Sequence, residues 1–251
     1  DIGGLKTMEL AKSLADSLVR YALTITDERR RKDYLEYSAK WQSRNYRNTY
    51  ISDAQSVYPI AMSEFDCNVY YLNCQNGTLD LQTGEFHPHT PQDKQTRIAG
   101  AAYDPNAKNL RFTRFVSEVM SGDTEKARFM QKSLGYGLTG DTRYECMFFY
   151  YGATTRNGKG TLMESTLHVM GDYGLTVRPE TIAAKPSANS QNPTEDIARL
   201  AGVRFANISE PRRGLVLNEA QIKSMTGNDT LNARFLHENS FDFKPQFKLY
   251  V

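Results

Sequence analysis

The sequence has little of what would tie it to a membrane, a metal or an oxidising compartment. Of its 251 residues, three are Cys and four are His. Cys67, Cys74 and Cys146 are odd in number and spaced like no metal module, so they read as reduced packing thiols of a cytoplasmic protein. No apolar run approaches the ~18 residues of a membrane helix. The N-terminus shows no signal-peptide pattern, so no membrane partner is expected. An excess of one charge is missing too. Thirty-one Lys and Arg face 29 Asp and Glu, a formal net charge of +2. That excludes a chain-wide electrostatic footprint for nucleic acid; any such contact must come from local basic clusters.

What is present suits one large globular domain or two modest ones, with hydrophobic residues at 39% and charged residues at 24%. Residues 5–40 read as helix, with Leu10, Leu14, Leu18 and Tyr21 on an apolar stripe. The run Glu28-Arg29-Arg30-Arg31-Lys32 reads as a solvated helix face or turn, with DNA contact as the alternative. From Asp66 to Pro91 the texture is strand-like, and Asn76-Gly77 and Thr83-Gly84 signal turns; a small hairpin is expected. His87-Pro88-His89 reads as surface loop rather than as a metal site. Helix returns over 110–136, broken at Ser121-Gly122-Asp123, and Gly135 to Gly140 reads as a connection. The main domain boundary is placed there: 1–139 as a mostly helical domain with the small hairpin, 140–251 as an α/β core with a parallel sheet.

The core opens on Met147-Phe148-Phe149-Tyr150-Tyr151, which reads as a strand buried on both faces. It runs into Gly152-Ala153-Thr154-Thr155-Arg156-Asn157-Gly158-Lys159-Gly160-Thr161, and a helix follows to Met170, with Gly171 as its C-cap. Strand, glycine-rich loop, lysine and helix form the context of a phosphate-binding loop. Glycines let backbone N–H groups curl around phosphate oxygens, the helix N-terminus favours the same anion, and Lys159 adds a point charge. The spacing departs from the standard pattern: five residues separate Gly152 from Gly158, and Gly160 stands where the magnesium-binding hydroxyl belongs, with Thr161 one place later. An ordinary glycine-rich turn is the alternative. Such a site needs a carboxylate at the end of a neighbouring strand. Val203 to Ile208 reads as that strand and Glu210 as the general base, or as a plain loop acid.

These residues resemble the phage and plasmid primase-helicases of helicase superfamily 3, and the similar poxvirus replicative proteins. The resemblance covers Asn157-Gly158-Lys159-Gly160-Thr161, Leu72-Asn73-Cys74-Gln75-Asn76-Gly77, Asp196 to Gly202 leading to Ser209-Glu210-Pro211, and Lys223 to Asp229. It implies a P-loop, AAA+-like motor that hydrolyses ATP with Mg²⁺ as a homo-hexamer, drawing one DNA strand through a central channel. Primase and other replication proteins would be partners, in a bacterial cytoplasm or a virus-infected cell. It implies an indirect magnesium contact for Ser209, which stands where many such motors carry a first acid. It implies DNA contacts for Lys223 and, in a hairpin spanning 234–247, for Arg234 and His237. A nucleotide-binding module or scaffold without productive hydrolysis is the alternative. The chain begins at Asp1 and ends inside a strand-like segment at Val251, so it is expected to be a fragment that stops before the family's sensor asparagine.

Overall fold

A computed structural model describes residues 5–57, 59–152, 155–184, 194–209 and 214–251. Two compact units divide at Met62/Ser63. The first holds three helices, α1 (Leu5–Thr24), α2 (Glu28–Gln42) and α3 (Arg44–Val57). The single long helix expected over residues 5–40 is in fact two, because Asp27 caps α2 by accepting the Arg30 N–H at 2.8 Å. Trp41 is buried against Tyr46 and Tyr50. Beside it the buried Arg47 donates to the Trp41 and Gln42 carbonyls at 2.6 and 2.8 Å, closing the C-terminal end of α2.

The second unit begins with a three-stranded antiparallel sheet, β1 (Tyr71–Cys74), β2 (Gly77–Asp80) and β3 (Phe86–His87); its first turn is at Gln75-Asn76, one residue before the Asn76-Gly77 signal, and Gly77 pairs in β2. Helices α4 (Leu110–Val119) and α5 (Thr124–Leu138) follow, capped by Asn109 and Asp123. Next come β4 (Met147–Phe148), α6 (Lys159–Met170), β5 (Gly174–Val177), α7 (Glu195–Ala198), β6 (Phe205–Ile208), α8 (Glu219–Thr226), β7 (Leu231–Ala233), β8 (Phe241–Phe243) and β9 (Lys248–Tyr250). Strands β4, β9, β6 and β5 form, in that order, an all-parallel sheet, and β7 and β8 pair as a separate antiparallel hairpin. The fold is a mixed one, α/β around a parallel sheet with helical elements before it.

Both sheet faces are covered, as a parallel sheet requires. On one face Phe205 and Tyr250 pack with Leu72, Met130, Leu162 and Met170; on the other Ala206, Ile208 and Leu249 pack with Leu200, Met225 and Phe247. The sequence reading put the main division near residue 140. The contacts put it at Met62/Ser63, because β1 and α5 share a core with the parallel sheet across residue 140.

Two local expectations are corrected. The apolar run 147–151 is not a strand buried on both faces: β4 is a two-residue strand that pairs, among the described residues, with β9 alone, and Phe149 and Tyr151 are 61% and 90% exposed. Gly135 and Gly137 do not lie in a connection but inside α5. Gly137 serves close packing there: a Cβ would stand 2.6 Å from the Tyr250 hydroxyl and 3.1 Å from the Phe205 ring.

Candidate nucleotide site

The loop after β4 leaves the carboxyl end of the parallel sheet, where open α/β sheets bind ligands. Of residues 152–161, Ala153 and Thr154 lie outside the described set. The remainder folds back on itself. Gly152 sits so close to Asn157 that a Cβ would stand 1.9 Å from Asn157 Nδ2 and 3.6 Å from Lys159 Nζ. Lys159 Nζ donates to Asn157 Oδ1 at 2.9 Å. The two ends of the loop therefore meet, with the ammonium above the first glycine.

Arg156 and Gly158 both have positive φ, 57° and 86°. Gly158 is the N-cap of α6, and the first i→i−4 bond of the helix is Leu162 N–H to the Gly158 carbonyl at 3.0 Å. The N–H groups of Lys159, Gly160 and Thr161 precede that bond and have no carbonyl within the helix to donate to. Gly160 and Thr161 are exposed, as are Thr155 and Arg156. A curled backbone, free N–H groups, a helix N-terminus and a lysine form a concavity suited to phosphate oxygens.

One wall of the loop was not legible in the sequence. A Cβ on Gly158 would stand 2.7 Å from Val119 and 3.0 Å from Phe115, both on α4. The earlier helical segment thus leans on the helix cap, and this explains why a residue without a side chain stands there. The apolar spacing of α4 announces an inward face but not what that face meets.

Ser209 follows β6 and is exposed; Glu210 lies outside the described residues. Phe148 and Asn207 are level in register, each paired to Tyr250 of the strand between them. The ends of β4 and β6 therefore lie on the same side of the sheet, two strand spacings or ~10 Å apart. This puts Ser209 at the end of the sheet from which the loop departs. Lys223 stands exposed on α8. Arg234 is half-buried at the end of β7, where its N–H donates to Thr194 Oγ1 at 2.9 Å and its carbonyl accepts from the Thr194 N–H at 3.2 Å. His237, exposed with φ 63°, turns the hairpin between β7 and β8. Phe241, beside the turn, stacks on Phe235 and lies tilted against Phe243. Lys223, Arg234 and His237 all belong to the crossover from β6 to β9, apart in sequence from the glycine loop.

Residues 4–121 match the family model described as D5 N terminal like. A protein named "Putative helicase L207/L206" of Acanthamoeba polyphaga mimivirus is 27% identical over 214 residues, 82% of this chain and 22% of that protein. "Putative helicase 022R" of Frog virus 3 (isolate Goorha) is 34% identical over 134 residues, 51% of this chain and 14% of that protein. The chain thus spans less than a quarter of either relative. Among solved structures, "The apo structure of NrS-1 C terminal region (305-718)" aligns with a TM-score of 0.44 and 12% identity, over 57% of this chain and 34% of that one. Residues 4–121 are thus similar to the family described as D5 N terminal like, and the chain is similar over most of its length to a viral protein named a putative helicase.

Proposed function

We propose that this chain is the motor part of an ATP-dependent DNA helicase of the superfamily 3 type, acting in replication of a virus, phage or other mobile element. The observation that supports it is the closed glycine loop, with Lys159 over Gly152 and the unbonded N–H groups of α6 beside it. In this reading the loop backbone from Gly152 to Thr161 cradles the phosphates of ATP, and Lys159 holds the β- and γ-phosphates. Thr161, and Ser209 through water, would hold Mg²⁺, which supplies charge neutralisation on the phosphates when bound. Glu210 takes the proton of the attacking water. Lys223, Arg234 and His237 contact one DNA strand in the channel of a homo-hexamer, beside a primase activity.

The test is ATP turnover with and without single-stranded DNA, in the intact protein and its Lys159→Ala variant. Turnover that rises with DNA and disappears in the variant supports the reading; unchanged DNA unwinding by the variant contradicts it. The second reading is a nucleotide-binding module without productive hydrolysis. It is favoured by Ser209, a hydroxyl where many such motors carry the first of two adjacent acids. Saturable ATP binding with no DNA-stimulated turnover would select it.

A further inference from the structure

The His87-Pro88-His89 segment borders a polar cavity that the nucleotide site does not use. Asp93 ends a short 3₁₀ turn, Pro91–Asp93, and its side chain is only 10% exposed. Thr78, buried on β2, donates from Oγ1 to Asp93 Oδ2 at 2.7 Å. His87 Nδ1 stands 3.9 Å from the same oxygen. Among the described residues no Lys or Arg side chain pairs with this carboxylate; Lys94, its neighbour in sequence, turns away to Glu64. The cationic group nearest to it is the His87 imidazole, when protonated; an ammonium or guanidinium in reach would give it a charge-assisted partner as well.

Beside Asp93 opens a cavity of about 280 Å³, lined by Asn73, Thr78, His89, Thr90, Asp93 and Gln95 among others. The lining is rich in acceptors. Gln95 Oε1 already faces a hydroxyl donor, Tyr173, at 3.3 Å. Asn73 donates its Nδ2 to the Arg97 carbonyl at 2.8 Å and leaves its buried Oδ1 without a hydrogen-bond partner. The complement is a group with positive charge and several N–H donors. Among the described residues no three His, Cys, Asp or Glu side chains come together closely enough for a transition-metal ion.

We propose that this cavity binds a small organic cation, a primary ammonium or guanidinium group, with Asp93 as its counter-ion. The same chemistry comes from a free amine or from a Lys or Arg side chain of a docked protein. The inference is independent of the nucleotide reading. Its test is a titration of the intact chain, followed through the ring resonances of His87 and His89. The probes are agmatine, a neutral alcohol of similar length, and a short peptide carrying Arg. Saturable shifts with agmatine assign a free cation; saturation by the peptide alone assigns a docked side chain. In either case Asp93→Asn weakens binding about ten-fold or more while the far-UV spectrum is retained. If that variant fails to fold, the contrast between cation and alcohol in the parent protein decides. Equal shifts with the alcohol, undiminished binding by a folded Asp93→Asn, or no saturable shift with either cation, overturn the proposal.

Discussion

Arg204 and Lys248, each only 2% exposed, donate to neighbouring carbonyls at the end of α5: Arg204 Nη1 to Leu138 at 2.9 Å, and Lys248 Nζ to Thr139. Arg204 stands immediately before β6 and Lys248 starts the adjacent β9, so this end of the parallel sheet closes the C-terminal, electronegative end of a helix that precedes it. Arg204 also donates to the Tyr71 carbonyl at 2.8 Å and lies 4.4 Å from the centre of the Tyr173 ring; Lys248 lies 4.7 Å from that of Tyr136. The first unit repeats the device with Arg47 at the end of α2.

Arg204→Met tests this joint. Methionine fills much of the space but leaves the Leu138 and Tyr71 carbonyls buried without donors. At ~1–3 kcal/mol for each of the two orphaned acceptors, urea unfolding should show a loss of roughly 2–6 kcal/mol. A loss below ~0.5 kcal/mol would mean that these bonds contribute nothing net.

Lys248 carries a pH dependence. Burial, and then the nearby Arg204, draw its ammonium down to about 7 from the ordinary 10.5. Between pH 7 and 10 the unfolded chain holds this proton and the folded chain does not, so raising the pH stabilises the fold. The slope is at most ~1.4 kcal/mol per pH unit. Below pH 7 both states are protonated and the slope vanishes. Lys248→Met should abolish the rise between pH 7 and 10 in a series of denaturant melts. An identical rise in the variant would assign it elsewhere.

Gly137→Ala sets helix propensity against packing. In an exposed helix the change would stabilise by ~1 kcal/mol. Here the added methyl meets the Tyr250 hydroxyl, which itself donates to the Ser133 carbonyl at 2.6 Å, and the Phe205 ring. Overpacking costs ~1–3 kcal/mol, so the net expectation is destabilisation by roughly 0.5–2 kcal/mol, read from the urea midpoint. A stabilised variant would show that α5 moves freely on the sheet.

Much of the fold was legible in the sequence where one signal served one purpose. The segment Val203 to Ile208 reads as strand and holds β6, the Asn76-Gly77 signal marks the hairpin of β1 and β2, and Gly171 ends α6 as its type suggests. Reading failed where a residue answered to a distant partner. Gly137 looked like loop because its reason, Tyr250, lies 113 positions away in sequence. Phe149 and Tyr151 looked like core because a strand paired on one side, as β4 is among the described residues, and a central one share an apolar composition. Arg204 and Lys248 gave no signal, since cations in strands usually mark a solvated face. At the candidate site the loop was legible from its glycines and lysine, whereas the wall made by Phe115 and Val119 was not.

Gly152→Ala tests the closed loop without touching a charge. Its methyl would collide with Asn157 and push the Lys159 ammonium away from the first glycine. ATP affinity should fall at least about ten-fold, ~1.4 kcal/mol, with the urea midpoint shifted little, because Asn157 and Lys159 are only half-buried. Calorimetric titration beside a denaturant melt separates the two effects. Unchanged affinity would show that the contact between Gly152 and Asn157 plays no part in binding.

The most direct measurement is an equilibrium titration of the chain, and of its Lys159→Ala variant, with a fluorescent ATP analogue in the presence of Mg²⁺. The account predicts saturable binding by the parent chain, and loss of at least about 1.4 kcal/mol, ten-fold, in a variant with an unaltered far-UV spectrum. Equal binding by both, or none by the parent chain, would contradict the claim that this loop holds phosphate.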